Sequence, residues 1–214
     1  MTKLSPTAYR TPLSGKPAQQ LILLLHGWGA DGYNLIDLAE MFAPSLPNAY
    51  FIAPNAPFVC EANPYGFQWF SLIDRTPSHL LEGIRRASDI LNKFIDEQLE
   101  ATGAKELALV GFSQGTMSAL HTALRRTPSV DAVVGFSGAL IAPEILAAEI
   151  KSRPPVCLIH GEADDVVPYA SMANAEATLK ENKVSVEIHT RPFLTHSIDM
   201  EGIEIAKNFL LSKF

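Results

Sequence analysis

Residue types that can act together as nucleophile, base and acid occur in separate segments of this chain. A serine lies at the centre of Gly-Phe-Ser-Gln-Gly at residues 111–115, directly after an apolar run at residues 107–110. Apolar residues then recur at helical spacing, at Met117, Leu120, Ala123 and Leu124. A strand, a tight turn and a helix in this order hold a serine hydroxyl clear of the backbone, because the flanking glycines allow close approach. Ser113 is therefore the candidate nucleophile.

The candidate base and acid are found by their position relative to predicted strands. A serine hydroxyl needs an imidazole to take its proton, and a carboxylate must fix the tautomer of that imidazole. Ligands bind beyond the carboxyl ends of the strands in open parallel sheets, so these residues should follow strands. Among the histidines, only His196 lies between the last predicted strand and the last predicted helix. Asp131 precedes its strand, whereas Asp164 and Asp165 both follow one, and spacing alone leaves both open.

An alternation of strands and helices positions these residues. Strands are predicted at residues 21–25, 49–53, 107–110, 132–136, 156–160 and 184–190, after a polar lead-in. Helices are predicted at residues 35–42, 78–102, 143–150, 169–182 and 198–211, and directly after Ser113. We therefore expect an α/β fold, with a mostly parallel twisted sheet, right-handed crossovers and helices on both faces.

Length and composition exclude several classes of protein. The 214 residues can bury one core and no linker divides them, so residues 1–214 are predicted to form a single domain. A net charge of -6 argues against binding to nucleic acid. The N-terminus lacks the apolar core of a secretory signal and no apolar run approaches membrane-spanning length, so we expect a cytoplasmic protein without integral membrane association. Cys60 and Cys157 suggest neither a disulfide framework nor a metal site.

Two further loops can complete the site. The backbone N–H groups of Trp28 and Gln114 are the candidate donors to the negative charge that develops on a substrate oxygen. Residues 54–77 carry many aromatic side chains without sustained periodicity, which predicts an ordered loop over one end of the sheet. Phe58, Trp69 and Phe70 are its candidate substrate-binding residues. A purely structural role remains open for both loops.

With these residues assigned, nearly the whole chain resembles the α/β-hydrolase family of acyl-protein thioesterases, lysophospholipases and small bacterial carboxylesterases. The motifs that carry the resemblance are the oxyanion loop at residues 25–32, Ala-Pro-Asn-Ala-Pro at 53–57, the serine turn at 111–115 and His-Gly-Glu-Ala-Asp-Asp-Val-Val-Pro at 160–168. The last motif selects Asp164 over Asp165. The chain departs from the family at Ser71, where many members have aspartate, and at Leu194 and Thr195, where a glycine often precedes the histidine.

The resemblance implies a function and a set of partners. It implies an α/β-hydrolase fold without a cap domain, and a serine hydrolase that cleaves carboxylic esters or thioesters through an acyl-enzyme, with Ser113, Asp164 and His196 as its triad. No metal or organic cofactor is implied. The implied substrates are a small acyl ester or thioester, an acylated protein or a lysophospholipid, and members are often homodimers. A peptidase on the same fold and a non-catalytic binding module are the alternatives.

Overall fold

A twisted sheet forms the centre of the computed structural model, which describes Leu4 and residues 6–214. Within these residues the strands are β1 (Pro6–Arg10), β2 (Gln20–Leu25), β3 (Ala49–Pro54), β4 (Phe58–Val59), β5 (Phe67–Gln68), β6 (Glu106–Phe112), β7 (Ala132–Phe136), β8 (Val156–Gly161) and β9 (Val186–Arg191). The large sheet has the order β1-β3-β2-β6-β7-β8-β9, and β4 and β5 form a separate pair. Only β1 runs antiparallel to its neighbour in the large sheet as described. The predicted mostly parallel α/β fold is confirmed.

Helices connect the parallel strands. They are α1 (Tyr33–Ile36), α2 (Leu38–Phe42), α3 (Pro77–Thr102), α4 (Gln114–Arg125), α5 (Leu146–Glu149) after a turn of 3-10 helix at Pro143–Ile145, α6 (Ala170–Glu181) and α7 (Met200–Leu211). The helix predicted at residues 35–42 is divided at Asp37 into two short helices. The longest helix, α3, starts at Pro77 and ends at Thr102, and it is capped by Gly103, whose φ of 71° suits glycine. No helix in the described part of the chain is long and apolar enough to cross a membrane.

Strand β2 is apolar along its whole length because both of its faces are covered. Leu21, Leu23 and Leu25 contact the cluster that includes α3 and α4, whereas Ile22 and Leu24 contact the cluster that includes α1, α2 and α7. All five side chains are fully buried. A strand buried on both faces reads as a continuous apolar run, which is why β2 could be predicted. Its carboxyl end is a fixed support for the loop that follows it.

The first strand, β1, departs from the sequence prediction. The sequence predicts a polar lead-in at residues 6–10, and that prediction is wrong because they pair with β3 at the edge of the sheet. Ala8 is buried in the pairing, whereas Tyr9 is about half exposed. An edge strand covered on one face needs few apolar side chains, so its sequence lacks the signal that marks the central strands.

His121 is a buried titratable residue on α4, behind the serine turn. The side chain is fully buried, and its Nδ1 atom has no hydrogen-bond partner among the described residues. Burial and the nearby positive charge of Arg125 lower the pKa of the His121 imidazole to about 3. The folded protein therefore keeps this side chain neutral at all but strongly acidic pH.

Acidification from about pH 7 to about pH 5 should destabilise the fold through His121. The unfolded imidazole, with a pKa of 6.5, takes up a proton in this range, whereas the folded one, with a pKa of about 3, does not. Because the unfolded state binds more protons, the free energy of unfolding should fall by about 2 kcal/mol from this residue. Urea denaturation at both pH values measures the change. The His121→Leu variant should lack this contribution, and an equal pH dependence in both proteins would contradict the assignment.

Candidate active site

Ser113 lies at a sharp turn between β6 and α4. Its backbone adopts φ 54° and ψ -119°, a region that L-amino acids rarely occupy. The N–H of Ser113 donates to the carbonyl of Phe136 on the neighbouring strand at 2.9 Å, which anchors the turn to the sheet. Strain of this kind costs on the order of 1–3 kcal/mol and persists only where surrounding contacts enforce it. The serine is held at the carboxyl end of the sheet.

The two glycines of the turn are required by the closeness of the backbone around them. A Cβ atom at Gly115 would lie 1.9 Å from the carbonyl oxygen of Leu25, and one at Gly111 would lie 2.4 Å from the backbone nitrogen of Thr116. Both neighbours are backbone atoms, which cannot move aside as a flexible side chain can. The start of α4 therefore packs directly on the end of β2.

His196 and Asp164 meet beside the serine turn. Nδ1 of His196 lies 2.8 Å from Oδ2 of Asp164, and the imidazole packs on the ring of Phe112 with the centroids 4.8 Å apart. Asp164 is buried in the loop after β8, whereas Asp165 is exposed. The structure thus brings Asp164, and not its neighbour, to the histidine.

The carboxylate of Asp164 accepts hydrogen bonds on both oxygens. The N–H groups of Val166 and Val167 donate to Oδ1 at 2.9 and 2.8 Å. Burial alone would raise the pKa of Asp164, but the hydrogen bonds from His196, Val167 and Val166 outweigh it and hold the pKa below its usual value. Asp164 therefore remains an anion that fixes a proton on Nδ1 of His196, which leaves Nε2 of the neutral ring as an acceptor.

A second histidine, His160, also contacts Asp164, although the strand pattern predicts no role for it. Its Nε2 atom lies 3.2 Å from Oδ2 of Asp164 and 3.0 Å from the carbonyl oxygen of Val167. A carbonyl oxygen only accepts, so Nε2 carries the proton and donates to Val167, with Oδ2 of Asp164 close by. The motif at residues 160–168 contains a signal for the contact between His160 and Asp164, because His160 precedes Asp164 by four residues at the end of β8.

The backbone N–H groups of Trp28 and Gln114 flank the same site. In the described residues, neither N–H donates to a protein acceptor. Gln114 is the first residue of α4, where unpaired N–H groups and the helix dipole favour negative charge. The indole N–H of Trp28 donates to Oε1 of Gln68 at 2.9 Å, which fixes the loop that carries it. Both predicted donors are thus available to an anionic oxygen.

The aromatic loop is attached to the site by side chains distant in sequence. Gln114 accepts from the N–H of Trp69 at 2.9 Å and donates to the carbonyl of Phe70 at 2.7 Å. Nε2 of His26 accepts from the N–H of Ala56 at 2.9 Å, and Nδ1 donates to the carbonyl of Gly27 at 2.7 Å. Burial lowers the pKa of His26, so the ring is a neutral bridge between loops.

An apolar cleft of about 450 Å³ opens at the serine turn, and Trp28, Phe70, Ser113, Gln114 and His196 lie on it. Of the three candidate substrate-binding aromatics, the structure brings only Phe70 to the cleft. Trp69 is fully buried, and its indole N–H donates to the carbonyl of His26 at 2.9 Å.

Phe58 lies in a different groove, where the guanidinium of Arg86 is 4.9 Å from its ring centroid. The expectation that Trp69 and Phe58 contact substrate is therefore corrected. Trp69 is enclosed by the surrounding loops, and Phe58 lines a groove other than the cleft of Ser113.

The apolar walls of the cleft include residues that the sequence did not indicate. They are Leu72, Leu80, Met117, Ile141 and Val166. These residues come from five separate segments, and only Met117 belongs to a periodic pattern close to Ser113. No local sequence signal shows that such segments converge. Among the described residues, no group of His, Cys, Asp or Glu side chains is arranged to hold a metal ion.

Substitution of Gly115 by alanine should strongly destabilise the protein, because its Cβ would overlap the carbonyl oxygen of Leu25. We expect a loss of about 3 kcal/mol in the free energy of unfolding, measured by urea denaturation. Ser118→Ala on the same helix is the matched control, since its buried hydroxyl has no partner among the described residues. That control should be neutral or stabilising. A loss below about 1 kcal/mol for Gly115→Ala would show that the turn can relax.

Comparisons with known proteins agree with this fold. The family model described as phospholipase/carboxylesterase matches residues 10–213. Esterase YpfH of Escherichia coli is 29% identical over 91% of this chain and 83% of its own. Acyl-protein thioesterase 1 of Kluyveromyces lactis is 27% identical over 95% of this chain and 96% of its own. The crystal structure of esterase PE8 is similar with a TM-score of 0.93 and 40% identity, covering 99% of this chain and all of that one. The chain therefore belongs to the phospholipase/carboxylesterase family of ester hydrolases.

Proposed function

We propose that this chain hydrolyses carboxylic esters or thioesters through an acyl ester on Ser113, with His196 as base and Asp164 as the carboxylate that orients it. One observation carries the proposal: Asp164 accepts from Nδ1 of His196 at 2.8 Å, and His196 lines the same apolar cleft as Ser113. The imidazole is thereby held in the tautomer that can accept a proton on Nε2.

The reaction follows from these positions. Nε2 of His196 takes the hydroxyl proton of Ser113 as Oγ attacks the acyl carbon, and the N–H groups of Trp28 and Gln114 stabilise the oxyanion of the tetrahedral intermediate. His196 then gives this proton to the departing alcohol or thiol, which leaves the acyl group on Ser113. A water molecule attacks the acyl carbon while His196 takes its proton. Return of that proton to Oγ releases the carboxylic acid and restores the serine.

The cleft favours an apolar acyl group. Its walls next to Ser113 are formed by aliphatic and aromatic side chains such as Phe70, Met117 and Ile141. Arg75 adds a positive charge to this lining. The names of the relatives support small esters, protein thioesters and lysophospholipids as the substrate classes to be compared. A homodimer, a cytoplasmic location and a single domain stay predictions from the sequence.

The Ser113→Ala variant should lower the rate of hydrolysis of p-nitrophenyl butyrate by at least about 10⁴-fold, because no other group can form the acyl ester. Release of p-nitrophenolate measures the rate. Ser118→Ala is again the control, since its hydroxyl is buried in α4 away from the cleft lining. It should hydrolyse the ester as the wild type does. Substantial turnover by Ser113→Ala would contradict the proposal.

The adjacent aspartates provide a test of the carboxylate in the proposed Ser-His-Asp triad. Asp164→Asn should reduce kcat by roughly 10⁴-fold, because an amide in this place favours the wrong imidazole tautomer. Asp165→Asn should change kcat less than about threefold, since Asp165 is exposed and its side chain makes no hydrogen bond or ion pair in the structure as described. Both variants are assayed on one ester, with far-UV circular dichroism to verify folding. Equal losses, or a larger loss at Asp165, would overturn the assignment of Asp164.

A further inference from the structure

A second groove also borders His196. It encloses about 720 Å³ between the helices α1 and α2 and the start of α7. This groove shares Gly27, Ala30, Phe112 and His196 with the cleft that contains Ser113, so the two spaces meet at the histidine. Ser113 itself lines only the first cleft. The proposed function as stated leaves this second space without a role.

The direction of proton transfer indicates which part of a substrate the groove would take. In acylation, the imidazole that received the serine proton must donate it to the departing oxygen or sulfur. The leaving group therefore lies next to His196, and the acyl group lies on the serine side of the reacting carbon. A substrate that places its acyl chain along Phe70 and Met117 directs its alcohol or thiol towards the space beyond His196.

The lining of the groove combines apolar and acidic side chains. Leu38, Met41, Ile198 and Met200 contribute apolar surface, and the two methionines are 37% and 57% exposed. Exposed methionines that flank a groove form a surface able to adapt to apolar ligands of different shape.

Among the described residues, two carboxylates of the groove lie beside one cation. Asp37 and Glu40 lie 3.7 and 3.5 Å from the guanidinium of Arg10, which balances only one of the two negative charges. The remaining charge disfavours an anionic occupant.

We propose that this groove binds the alcohol or thiol half of the substrate, and that it prefers an apolar leaving group without negative charge. The inference rests on the proposed function, because it takes His196 as the donor to the leaving group. It assigns the acyl and leaving groups to separate spaces that both border the histidine.

Two butyrate esters test this assignment. Methyl and hexyl butyrate share the acyl group and the acyl-enzyme, and their alcohols have similar acidity, so the ratio of their kcat/KM values reports binding of the leaving group. Each buried methylene can contribute up to about fourfold, so partial burial of the hexyl chain predicts a ratio of at least about tenfold in favour of hexyl butyrate. The butyrate ester of 6-hydroxyhexanoate, which ends in a carboxylate, should lose most of this advantage.

Substitutions in the groove locate the effect. Met200→Gln and Met41→Gln keep volume and charge, lie on different helices, and should each lower the hexyl-to-methyl ratio about threefold or more. Leu13→Gln is the matched control, because Leu13 is 65% exposed and lines neither space, and it should leave the ratio unchanged. Ratios that stay at the wild-type value in both methionine variants would overturn the proposal.

Two other outcomes are distinguishable. If Ser113→Ala still hydrolyses both esters, the proposed function itself is refuted. If hydrolysis depends on Ser113 but the hexyl-to-methyl ratio is unchanged in both methionine variants, only the assignment of the groove is refuted. If a second copy of the chain covers the groove, Met200→Gln should shift the sedimentation of a dimer without changing the ratio. That result would also overturn the proposal.

Discussion

The backbone of Ser113 is held at a positive φ, and the geometry of the surrounding loops depends on it. Its φ of 54° is enforced by the hydrogen bond from its N–H to Phe136 and by close backbone contacts at Gly111 and Gly115. Because the chain turns so sharply, α4 begins directly against the end of β2. The amide of Gln114 is therefore available to an anion, and its side chain reaches the aromatic loop.

Neutral or paired histidines fix the remaining loops around this turn. His26 joins the loop after β2 to Ala56, and burial keeps its pKa low, so it acts as a hydrogen-bonding bridge and not as a charge. His160 donates to the carbonyl of Val167 and lies against the carboxylate of Asp164, which in turn accepts from His196. Asp164 accepts from His196, Val166 and Val167, so under the proposed mechanism little reorganisation is needed when charge develops on the imidazole.

The sequence predicted the residues whose position depends on the central strands. Ser113, Asp164 and His196 each follow a strand, and the carboxyl ends of parallel strands meet at one edge of the sheet, so position proposed Ser113 and His196 and narrowed the carboxylate to Asp164 or Asp165. The choice between Asp164 and Asp165 needed the family resemblance, since adjacent residues in a turn differ only in the direction of their side chains.

The roles of Trp69 and Phe70 could not be separated in the same way, because no periodicity marks the aromatic loop. Their orientation depends on hydrogen bonds from Trp69 to His26 and to Gln114, which are more than 40 residues distant. The edge strand β1 and the cleft wall depend likewise on tertiary contacts that local patterns do not encode.

The most direct test of this account is the site of reaction with a serine-directed fluorophosphonate. The reagent modifies a serine only where a base activates its hydroxyl and donors stabilise the resulting anion, so it reports the whole arrangement without knowledge of the substrate. Peptide mapping by mass spectrometry should find the phosphonyl group on Ser113 and on no other residue. Modification at another serine, or an unmodified protein under conditions that label a known serine esterase, would contradict the account.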